Sequence, residues 1–455
     1  MHVYRASDAR PAPMAEVQAL PDREAVDGDS GLFSFLDPPH TRAIARAPAP
    51  RGSTTSRAQN VSLPAIVLVT GLTASNLWAD VDASKDGGNC GPHFFCSCNL
   101  KDEKLWLNHL EVLPFVIDCT FHRLRLDWNM TSNRFRDFGS NVYTKYYGTG
   151  EGLGFVEPVF ASLRKAFLPL GYPADNSLFA DVVFDFRVGP REWEAPPGAS
   201  SFYLTGDLER LRLLIEQKKK DTGRKVILTS ISEGGTLTRS FLHAQNQSWK
   251  TEHILGWASL STPFAGSKEI GFHFLSGDSA YKKLLPWLDV KKFRDTTEAW
   301  SGLMAVAPIP SGIPEADDAP YIVTPYTNFS VKRYRDALVR AGRWVTADVW
   351  NFSIPEVVAP TVPPGVPMLC LRGTGIKTIA KVTYDTDDMS DASAPEFEYD
   401  LGGDGTVHHE SLVACERWTN APNVSSKAYN NVTHSGILSS EAALADIVRW
   451  VSSLI

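Results

Sequence analysis

A serine, an aspartate and a histidine stand along the chain in an order that suits nucleophilic catalysis. The apolar, β-branched segment KVILTS (225–230) runs into Ser230-Ile231-Ser232-Glu233-Gly234, and a helical stretch follows. A serine at a sharp strand-to-helix turn is exposed as a nucleophile when the residues two positions to either side are small. We therefore predict that Ser232 is the nucleophile. The competing interpretation is an ordinary strand–helix turn whose serine only caps the helix.

The acid and the base are expected further along the chain. A serine nucleophile needs a base and a group that orients the base, and with this type of turn the acid precedes the histidine in sequence. Asp404 lies in the glycine-rich segment LGGDGTVHHE (401–410), although Asp-Gly is also a common turn pair. His408 and His409 lie on the same local segment as Asp404, whereas His434 comes just before the last helical stretch. We predict Asp404 as the acid and His434 as the base.

Two backbone N–H groups are needed to stabilise the anion that forms when a serine attacks an ester. One should be the amide of the residue after the nucleophile, Glu233. The other should come from the loop after an early strand, and Gly71-Leu72-Thr73 follows the apolar run 65–69. The sequence therefore predicts Leu72 and Glu233 as the oxyanion donors.

The elements that must position these residues alternate between strand and helix. Leu204, Leu208, Leu211 and Ile215 recur at helical spacing, and further helices are predicted over 234–244 and 442–454. Short apolar runs predict strands over 65–69, 181–186, 225–230, 254–260 and 366–373. This alternation indicates an α/β fold with a mostly parallel sheet. Residues 264–345 interrupt it as a mainly helical and loop insertion, and residues 1–60 are predicted to be a disordered tail or propeptide.

Composition excludes several classes of function. The chain has 455 residues, 43% of them apolar and 21% charged, which is enough for a large core. Its net charge of −7 argues against nucleic-acid binding, which needs a basic surface. It has no apolar run of about 20 residues to span a bilayer. Cys96-Ser-Cys98 has poor spacing for zinc, and we expect neither a metal nor a cofactor.

Cysteines and glycosylation sequons indicate a compartment. An even number of cysteines favours disulfides in a secreted chain. Asn-x-Ser/Thr sequons matter only in the secretory route. The N-terminal thirty residues contain no apolar signal-peptide core, so either the native start differs or entry is unconventional. The cysteines are Cys90, Cys96, Cys98, Cys119, Cys370 and Cys415, and the sequons start at Asn60, Asn129, Asn246, Asn328, Asn351, Asn423 and Asn431.

From about residue 63 onward, the chain resembles the lecithin:cholesterol acyltransferase and lysosomal phospholipase A family. LWLNHLEVLPFVIDC (105–119) is similar to the family's tryptophan-containing membrane-binding segment, which ends on a cysteine. RLRLDWNMTS (123–132) is similar to the strand that follows, with a glycosylated Asn129. Further similar segments are FDFR (184–187), SLSTPFAGS (259–267), YIVTPYTNFSVKRYRDAL (321–338) and GDGTV (403–407).

The resemblance implies an α/β-hydrolase core with a cysteine-closed membrane-binding subdomain and a helical cap with a lid. The implied domains are a tail (1–60), hydrolase core (61–87, 131–263 with the nucleophile turn, and 346–455 with the acid and histidine), membrane-binding subdomain (88–130) and cap and lid (264–345). The candidate lid is 271–298, with Leu284, Leu285, Pro286 and Trp287.

The resemblance also implies roles for individual residues. Ser232, Asp404 and His434 take the triad positions, and Leu72 and Glu233 take the oxyanion positions. Cys370 and Cys415 fall where the family has its C-terminal disulfide. Cys119 falls at one end of the N-terminal disulfide, and its partner stays open among Cys90, Cys96 and Cys98. Within the apolar stretch 106–116, Trp106, Leu107 and Leu110 are candidates for membrane contact, although core packing explains most such runs.

The implied reaction is cleavage of a glycerophospholipid acyl ester such as that of phosphatidylcholine. The acyl group passes through a serine ester to water or to an alcohol such as cholesterol. The expected partners are a phospholipid membrane surface, a phospholipid donor and a sterol or other alcohol acceptor, with no nucleic acid. The expected location is the secretory pathway (secreted, vacuolar or lysosomal), peripheral on membranes.

The turn departs from the family's usual His-Ser-Met-Gly, because Ile231 and Glu233 flank Ser232. A charge on Glu233 near the oxyanion would raise the reaction barrier, so its side chain should point away or be protonated. The alternatives are a neutral lipase or thioesterase on the same fold, or an inactive lipid-binding homologue.

Overall fold

The structure is a computed structural model that describes residues 63–108, 110–137, 139–149, 152–153, 157–194, 206–277, 287–389, 395–418 and 423–455. The predicted tail (1–60), Leu204 of the predicted helix, and Leu284, Leu285 and Pro286 of the candidate lid lie outside the described residues.

In the described residues, the strands form four separate sheets. In chain order they are β1 Ile66–Val69, β2 Leu77–Asp82, β3 Asn99–Trp106, β4 Leu126–Asn129, β5 Arg134–Asp137, β6 Ser140–Tyr143, β7 Phe179–Val182, β8 Val226–Ile231, β9 Ile254–Leu260, β10 Ile322–Val323, β11 Asn328–Phe329, β12 Met368–Thr374, β13 Thr378–Thr383, β14 Glu396–Asp400 and β15 Val424–Asn430.

Helices occupy the connections between these strands. They are α1 Val116–Leu124, α2 Glu157–Ala166, α3 Pro190–Glu194, α4 Asp207–Thr222, α5 Glu233–Ala244, α6 Gln247–His253, α7 Lys268–Ser276, α8 Val290–Thr297, α9 Ser301–Ala305, α10 Pro314–Asp318, α11 Tyr334–Arg340, α12 Trp344–Ser353, α13 His409–Leu412 and α14 Glu441–Leu454. Short 3-10 helices lie at Ala83–Asp86, Leu168–Leu170, Val331–Arg333, Ile354–Glu356, Ala414–Trp418 and Gly436–Leu438.

The central sheet has the strand order β15-β12-β9-β8-β1-β7, and every neighbouring pair is parallel. Parallel strands need crossover connections, and helices supply most of them here. This arrangement confirms the predicted α/β fold and is that of an α/β-hydrolase core. Because β1 lies beside β8, the loop after β1 and the turn after β8 meet at the same edge of the sheet.

Apolar side chains project from both faces of the central sheet. Along β1, Val67 and Val69 belong to one buried cluster, whereas Ile66 and Leu68 belong to another. Successive strand residues point to opposite faces, so each cluster covers one side of the sheet. Helices α4 and α5 pack on each other on one side, while α2 and α14 pack on each other on the opposite side. Burial on both sides therefore requires a strand with apolar residues at every position.

The predicted strand over 181–186 is wrong in its bounds, because β7 covers Phe179–Val182. Beyond it, the N–H of Phe184 donates to the Ser75 hydroxyl at 3.1 Å and not to a neighbouring strand. Asp185 then folds back onto Arg187, whose backbone N–H and guanidinium both donate to the carboxylate. Side-chain hydrogen bonds thus end the strand where the apolar run alone suggested it would continue.

Residues 264–345 contain α7, α8, α9, α10 and α11, as the predicted mainly helical insertion requires. The segment also contributes the short strands β10 and β11, which join a sheet of order β11-β10-β13-β14. The partner strands β13 and β14 come from residues beyond the insertion. The sequence did not indicate this small sheet, since β10 and β11 have only two residues each and β13 and β14 together are mostly polar and half-exposed.

All six cysteines are paired. The bonds are Cys90–Cys98, Cys96–Cys119 and Cys370–Cys415, so the open partner of Cys119 is Cys96. The first two close a subdomain that contains α1 and the antiparallel sheet β3-β2-β6. Disulfides of this kind are typical of chains that mature in the secretory pathway. Within the described part of the chain, we find no helix that is both long and apolar enough for a bilayer crossing.

We predict that the Cys370–Cys415 bond contributes more to stability than the Cys90–Cys98 bond. They close loops with sequence separations of 45 and 8 residues respectively. The loss of chain entropy in the unfolded state gives roughly 4 kcal/mol for the longer loop and roughly 2.5 kcal/mol for the shorter one. Urea unfolding of Cys370→Ala/Cys415→Ala and of Cys90→Ala/Cys98→Ala would compare them. Equal or reversed losses would contradict the prediction.

Candidate active site

The turn between β8 and α5 holds Ser232 in a strained conformation. Its φ of 55° and ψ of −130° lie outside the helical and extended regions. Gly234 makes this possible, because a Cβ there would collide with the carbonyl oxygen of Thr70. Ser230, the small residue on the other side, accepts a hydrogen bond from Trp257 Nε1 at 2.8 Å. The strained backbone aims the Ser232 side chain out of the sheet edge.

Ser232, His434 and Asp404 form a hydrogen-bonded chain. His434 Nε2 lies 2.9 Å from Ser232 Oγ, and His434 Nδ1 lies 2.8 Å from Asp404 Oδ2. A carboxylate only accepts, so Nδ1 carries the proton and Nε2 is left to accept from the serine hydroxyl. The structure therefore brings together three side chains that are up to 202 residues apart in sequence. This arrangement can remove the proton from a serine as it attacks an ester.

Asp404 is fully buried, and the backbone fixes its orientation. Its Oδ1 accepts from the N–H groups of Thr406 and Val407 at 3.1 and 2.8 Å, while Oδ2 faces His434. The carbonyl of Asp404 also accepts from the His434 N–H at 2.8 Å, so the two catalytic candidates are tied through backbone and side chain. These contacts hold the imidazole in a single tautomer and orientation.

The other two histidines of the same segment do not reach the serine hydrogen bond. His408 is buried, and burial lowers its pKa well below the ordinary value, with the nearby Lys268 and His409 charges adding to the effect. His409 is exposed and begins α13. Their positions agree with the choice of His434 on sequence grounds.

The loop after β1 comes directly against the nucleophile. A Cβ on Gly71 would lie 3.1 Å from the Cβ of Ser232, so only a glycine leaves room for the approach without a shift. The next residue, Leu72, is a predicted oxyanion donor, and Glu233 begins α5 directly after Ser232. No hydrogen bond from either N–H to another described residue is seen. Both amides remain available for an anion beside Ser232 Oγ.

An apolar cavity opens beside the triad. Its empty space, counted together with the part open to solvent, is about 540 Å³, and its lining comes from distant parts of the chain. The lining residues are Gly71, Leu72, Ala74, Phe160, Ile231, Ser232, Pro263, Ser267, Ile270, Val306, Thr406, Val407 and His434. A pocket of this composition suits a hydrocarbon chain with its ester at the serine. Sequence reasoning missed Phe160, Ile270 and Val306, because each belongs to an ordinary apolar segment with no local signal of a pocket.

Glu233 is fully buried, and neither of its carboxylate oxygens has a hydrogen-bond partner among the described residues. Burial raises the pKa of this carboxyl well above its ordinary value, and the negative charge of Asp185 raises it further. Both effects favour the neutral, protonated form of the Glu233 side chain. A neutral side chain removes the repulsion that a carboxylate would exert on an oxyanion at the same residue.

The prediction that Trp106 contacts a membrane is wrong for this structure. Its side chain is buried, and its Nε1 donates to the Thr73 carbonyl at 2.8 Å, which anchors the loop that carries Leu72. Leu107 is half-buried, whereas Leu110 is 69% exposed. The apolar pattern alone could not separate the residues that face inward from those that face outward, because the segment ends a strand and enters an irregular turn.

Exposed aromatic residues lie elsewhere in the same subdomain. Phe94 is fully exposed and Phe95 is about half exposed, and both lie inside the loop closed by Cys90 and Cys98. Phe115, just before α1, is 72% exposed. Cys96–Cys119 and a hydrogen bond between His93 and Asp118 hold the phenylalanine loop against α1. Sequence reasoning missed Phe94 and Phe95, although their position between closely spaced cysteines is a signal that could have found them.

Comparison with known proteins adds independent information. The model of the lecithin:cholesterol acyltransferase family matches residues 102–359, which is more than half of the chain. The lysosomal phospholipase A and acyltransferase of Canis lupus familiaris is 27% identical over 400 residues, covering 85% of this chain and 91% of that protein. Its Homo sapiens counterpart is 27% identical over 367 residues, covering 78% and 82%.

A second group of relatives carries a different name. The phosphatidylcholine-sterol acyltransferase of Gallus gallus is 27% identical over 409 residues and covers 86% of this chain and 87% of that protein. Both groups therefore align with most of the length described above. By its family match, and with a parallel sheet of the expected kind, this chain belongs to the lecithin:cholesterol acyltransferase family.

Proposed function

We propose that this chain is a phospholipase A and O-acyltransferase whose acyl-enzyme forms on Ser232. The substrate class is a glycerophospholipid such as phosphatidylcholine, in keeping with the lipid substrates named for its relatives. The observation that carries the proposal is the hydrogen-bonded chain from Ser232 through His434 to Asp404, beside an apolar cavity. The products are a lysophospholipid and either a fatty acid or an ester of an acceptor alcohol such as a sterol.

In the first half-reaction, the Ser232 oxygen attacks the carbonyl carbon of the acyl ester. Its proton passes to His434 Nε2, which lies 2.9 Å away. Asp404 stabilises the imidazolium that results, because it is buried and accepts from Nδ1. The amides of Leu72 and Glu233 hold the oxyanion. His434 then gives the proton to the departing oxygen, and the lysophospholipid leaves.

In the second half-reaction, the same groups act on the acyl-enzyme. Water or an alcohol enters, loses its proton to His434 and attacks the ester carbon, and the Ser232 oxygen recovers the proton on leaving. The apolar lining of the cavity keeps bulk water scarce near the ester, which favours an alcohol acceptor that itself partitions into apolar surroundings. The ratio of hydrolysis to transfer therefore depends on which acceptor the cavity admits.

The donor lipid has to be taken from a membrane, and the cysteine-closed subdomain offers the surface for this contact. Phe94, Phe95, Leu110, Leu113 and Phe115 all expose substantial apolar area on segments joined by the Cys90–Cys98 and Cys96–Cys119 bonds. Aromatic side chains are favoured at the boundary between lipid and water. Trp287, within the candidate lid, donates from Nε1 to the Val112 carbonyl at 3.0 Å and so contacts the same subdomain.

We expect Ser232→Ala and His434→Ala to lower the release of fatty acid from phosphatidylcholine vesicles by roughly 10⁴-fold or more, because each removes a group needed to form the acyl-enzyme. His409→Ala is the matched control, since His409 lies near Asp404 in sequence but is exposed. Chromatography of fatty acid, lysolipid and sterol ester from vesicles containing cholesterol would measure the products. If Ser232→Ala released fatty acid at the normal rate, Ser232 would not be the nucleophile.

We expect Phe94→Ser and Phe115→Ser to weaken binding to phosphatidylcholine vesicles by about tenfold each, because each removes exposed apolar area from the proposed membrane surface. Hydrolysis of a short, water-soluble ester should stay unchanged. Tyr326→Ser is the control, since Tyr326 is also exposed but lies near the β10–β11 connection of the second sheet. Vesicle flotation and the two hydrolysis assays would separate binding from chemistry. Undiminished binding of both phenylalanine variants would place the membrane surface elsewhere.

A further inference from the structure

Glu233, a proposed oxyanion donor, carries a buried carboxyl group without a hydrogen-bond partner among the described residues. Glu233 begins α5 directly after Ser232, and its N–H is a proposed oxyanion donor. Its side chain is fully buried, and both carboxylate oxygens lack a partner among the described residues. Buried carboxyl groups normally pair with a cation or a donor. A carboxyl group placed this way favours its uncharged form.

The charged neighbours of α5 do not offer Glu233 an ion pair. Helix α5 packs against β1, β8, α3 and α4, and the two strands carry no charged residue. The charged residues of α3 and of the first turn of α4, with those of the loop after β7, are Asp185, Arg187, Arg191, Glu192, Glu194, Asp207, Glu209 and Arg210.

The arginines in this set form ion pairs with acidic residues other than Glu233. Arg187 Nη2 donates to Asp185 at 2.7 Å, Arg210 Nη1 to Asp207 at 2.8 Å, and Arg191 Nη2 to Glu356 at 2.6 Å. Glu192 accepts from the Gly189 N–H and the Ser301 hydroxyl. Of the acids, Asp185 acts on Glu233 directly and raises its pKa, in addition to the larger effect of burial. The surroundings of Glu233 therefore oppose a second negative charge.

We propose that Glu233 is a positioning residue that serves the reaction only as a neutral carboxylic acid, so that loss of its proton ends stabilisation of the oxyanion. The inference rests on the proposed function, in which the Glu233 amide holds that oxyanion. Side chain and amide belong to one residue, so a carboxylate would lie a few ångströms from the developing negative charge. It would also cancel the favourable positive end of α5 at the same place. Activity should then fall as pH rises through the titration of this one group.

The buried carboxyl group of Glu233 should also affect stability, which can be measured without an activity assay. The folded-state pKa of Glu233 is raised above the value in the unfolded chain. The folded protein therefore keeps a proton that the unfolded chain releases, and stability falls as pH rises from the ordinary glutamate range toward the folded-state pKa. A neutral replacement lacks this penalty. The melting temperature of Glu233→Gln minus that of the native protein should thus increase with pH over that window.

The test compares kcat and its pH profile for the native protein, Glu233→Gln and Glu233→Met, with a soluble p-nitrophenyl ester from about pH 4.5 to about pH 9. We expect the native kcat to fall by about tenfold or more on the alkaline side. In both neutral variants, the ratio of kcat at alkaline pH to kcat at acidic pH should stay close to one, whereas that ratio falls in the native protein. Glu209→Gln, which alters an exposed acid of α4, should follow the native profile.

Two results would overturn the inference. One is a Gln variant whose profile superimposes on the native one, and the other is a Gln variant that loses the same fraction of activity at every pH. If Glu233→Gln does not fold, the pH profile and the melting temperatures of Glu233→Met are compared with those of the native protein instead. The activity of Ser232→Ala and the labelling of Ser232 by a fluorophosphonate distinguish a failure of the proposed function from a failure of the inference about Glu233. Turnover without Ser232 would remove the proposed function, whereas superimposed profiles with an inactive Ser232→Ala would overturn only the role of Glu233.

Discussion

The active-site geometry depends on one steric constraint, the close approach of the Gly234 backbone to the Thr70 carbonyl. Any side chain at 234 would collide with that oxygen, and a side chain at 71 would press against Ser232. These two glycines let the end of β1 and the start of α5 come together beside the nucleophile. Ser232 then takes its strained φ of 55°, and the proposed oxyanion donors Leu72 and Glu233 follow directly after Gly71 and Ser232 in these two segments. The position of the candidate nucleophile thus depends on the absence of two Cβ atoms.

The parallel sheet supplies the remaining partners. Because neighbouring strands run in one direction, the loops after β1, β8, β12 and β15 all leave at the same edge. Asp404 lies in a segment between β14 and α13, and a bridge to Ile376 attaches this segment to the residues just after β12. His434 follows β15. Both residues therefore reach Ser232 from outside the β8–α5 turn, and the backbone bonds of Thr406 and Val407 set the final orientation.

Local patterns in the sequence were enough to predict five of the six strands of the described central sheet and the residues that meet at the nucleophile, whereas the edge strand β15 was not predicted because its residues are mostly polar and exposed. Strand β9 and helix α5 occur almost where periodicity placed them, because their burial is dictated by their own residues. Burial in irregular segments could not be predicted from such local patterns. Nothing near Trp106 indicated that a carbonyl from Thr73 would hold it inside, and nothing in the run 181–186 indicated that Ser75 would take the N–H of Phe184. Such contacts join residues distant in sequence, as do the cavity lining and the pairing of Cys96 with Cys119.

The contrast between the two apolar regions explains the two disulfides near α1, whereas Cys370–Cys415 is buried in the core. Inside the core, apolar side chains stabilise the fold by being buried, and the strained turn at Ser232 depends on that rigidity. The subdomain around α1 instead leaves Phe94, Leu110 and Phe115 in solvent, so these residues contribute little to its folding. A small unit that keeps apolar area outside needs another source of stability, and Cys90–Cys98 and Cys96–Cys119 provide it by restricting the unfolded chain. Covalent links thus let this surface stay exposed, as the proposed contact with lipid requires, while the core beside it keeps the candidate reacting groups in place.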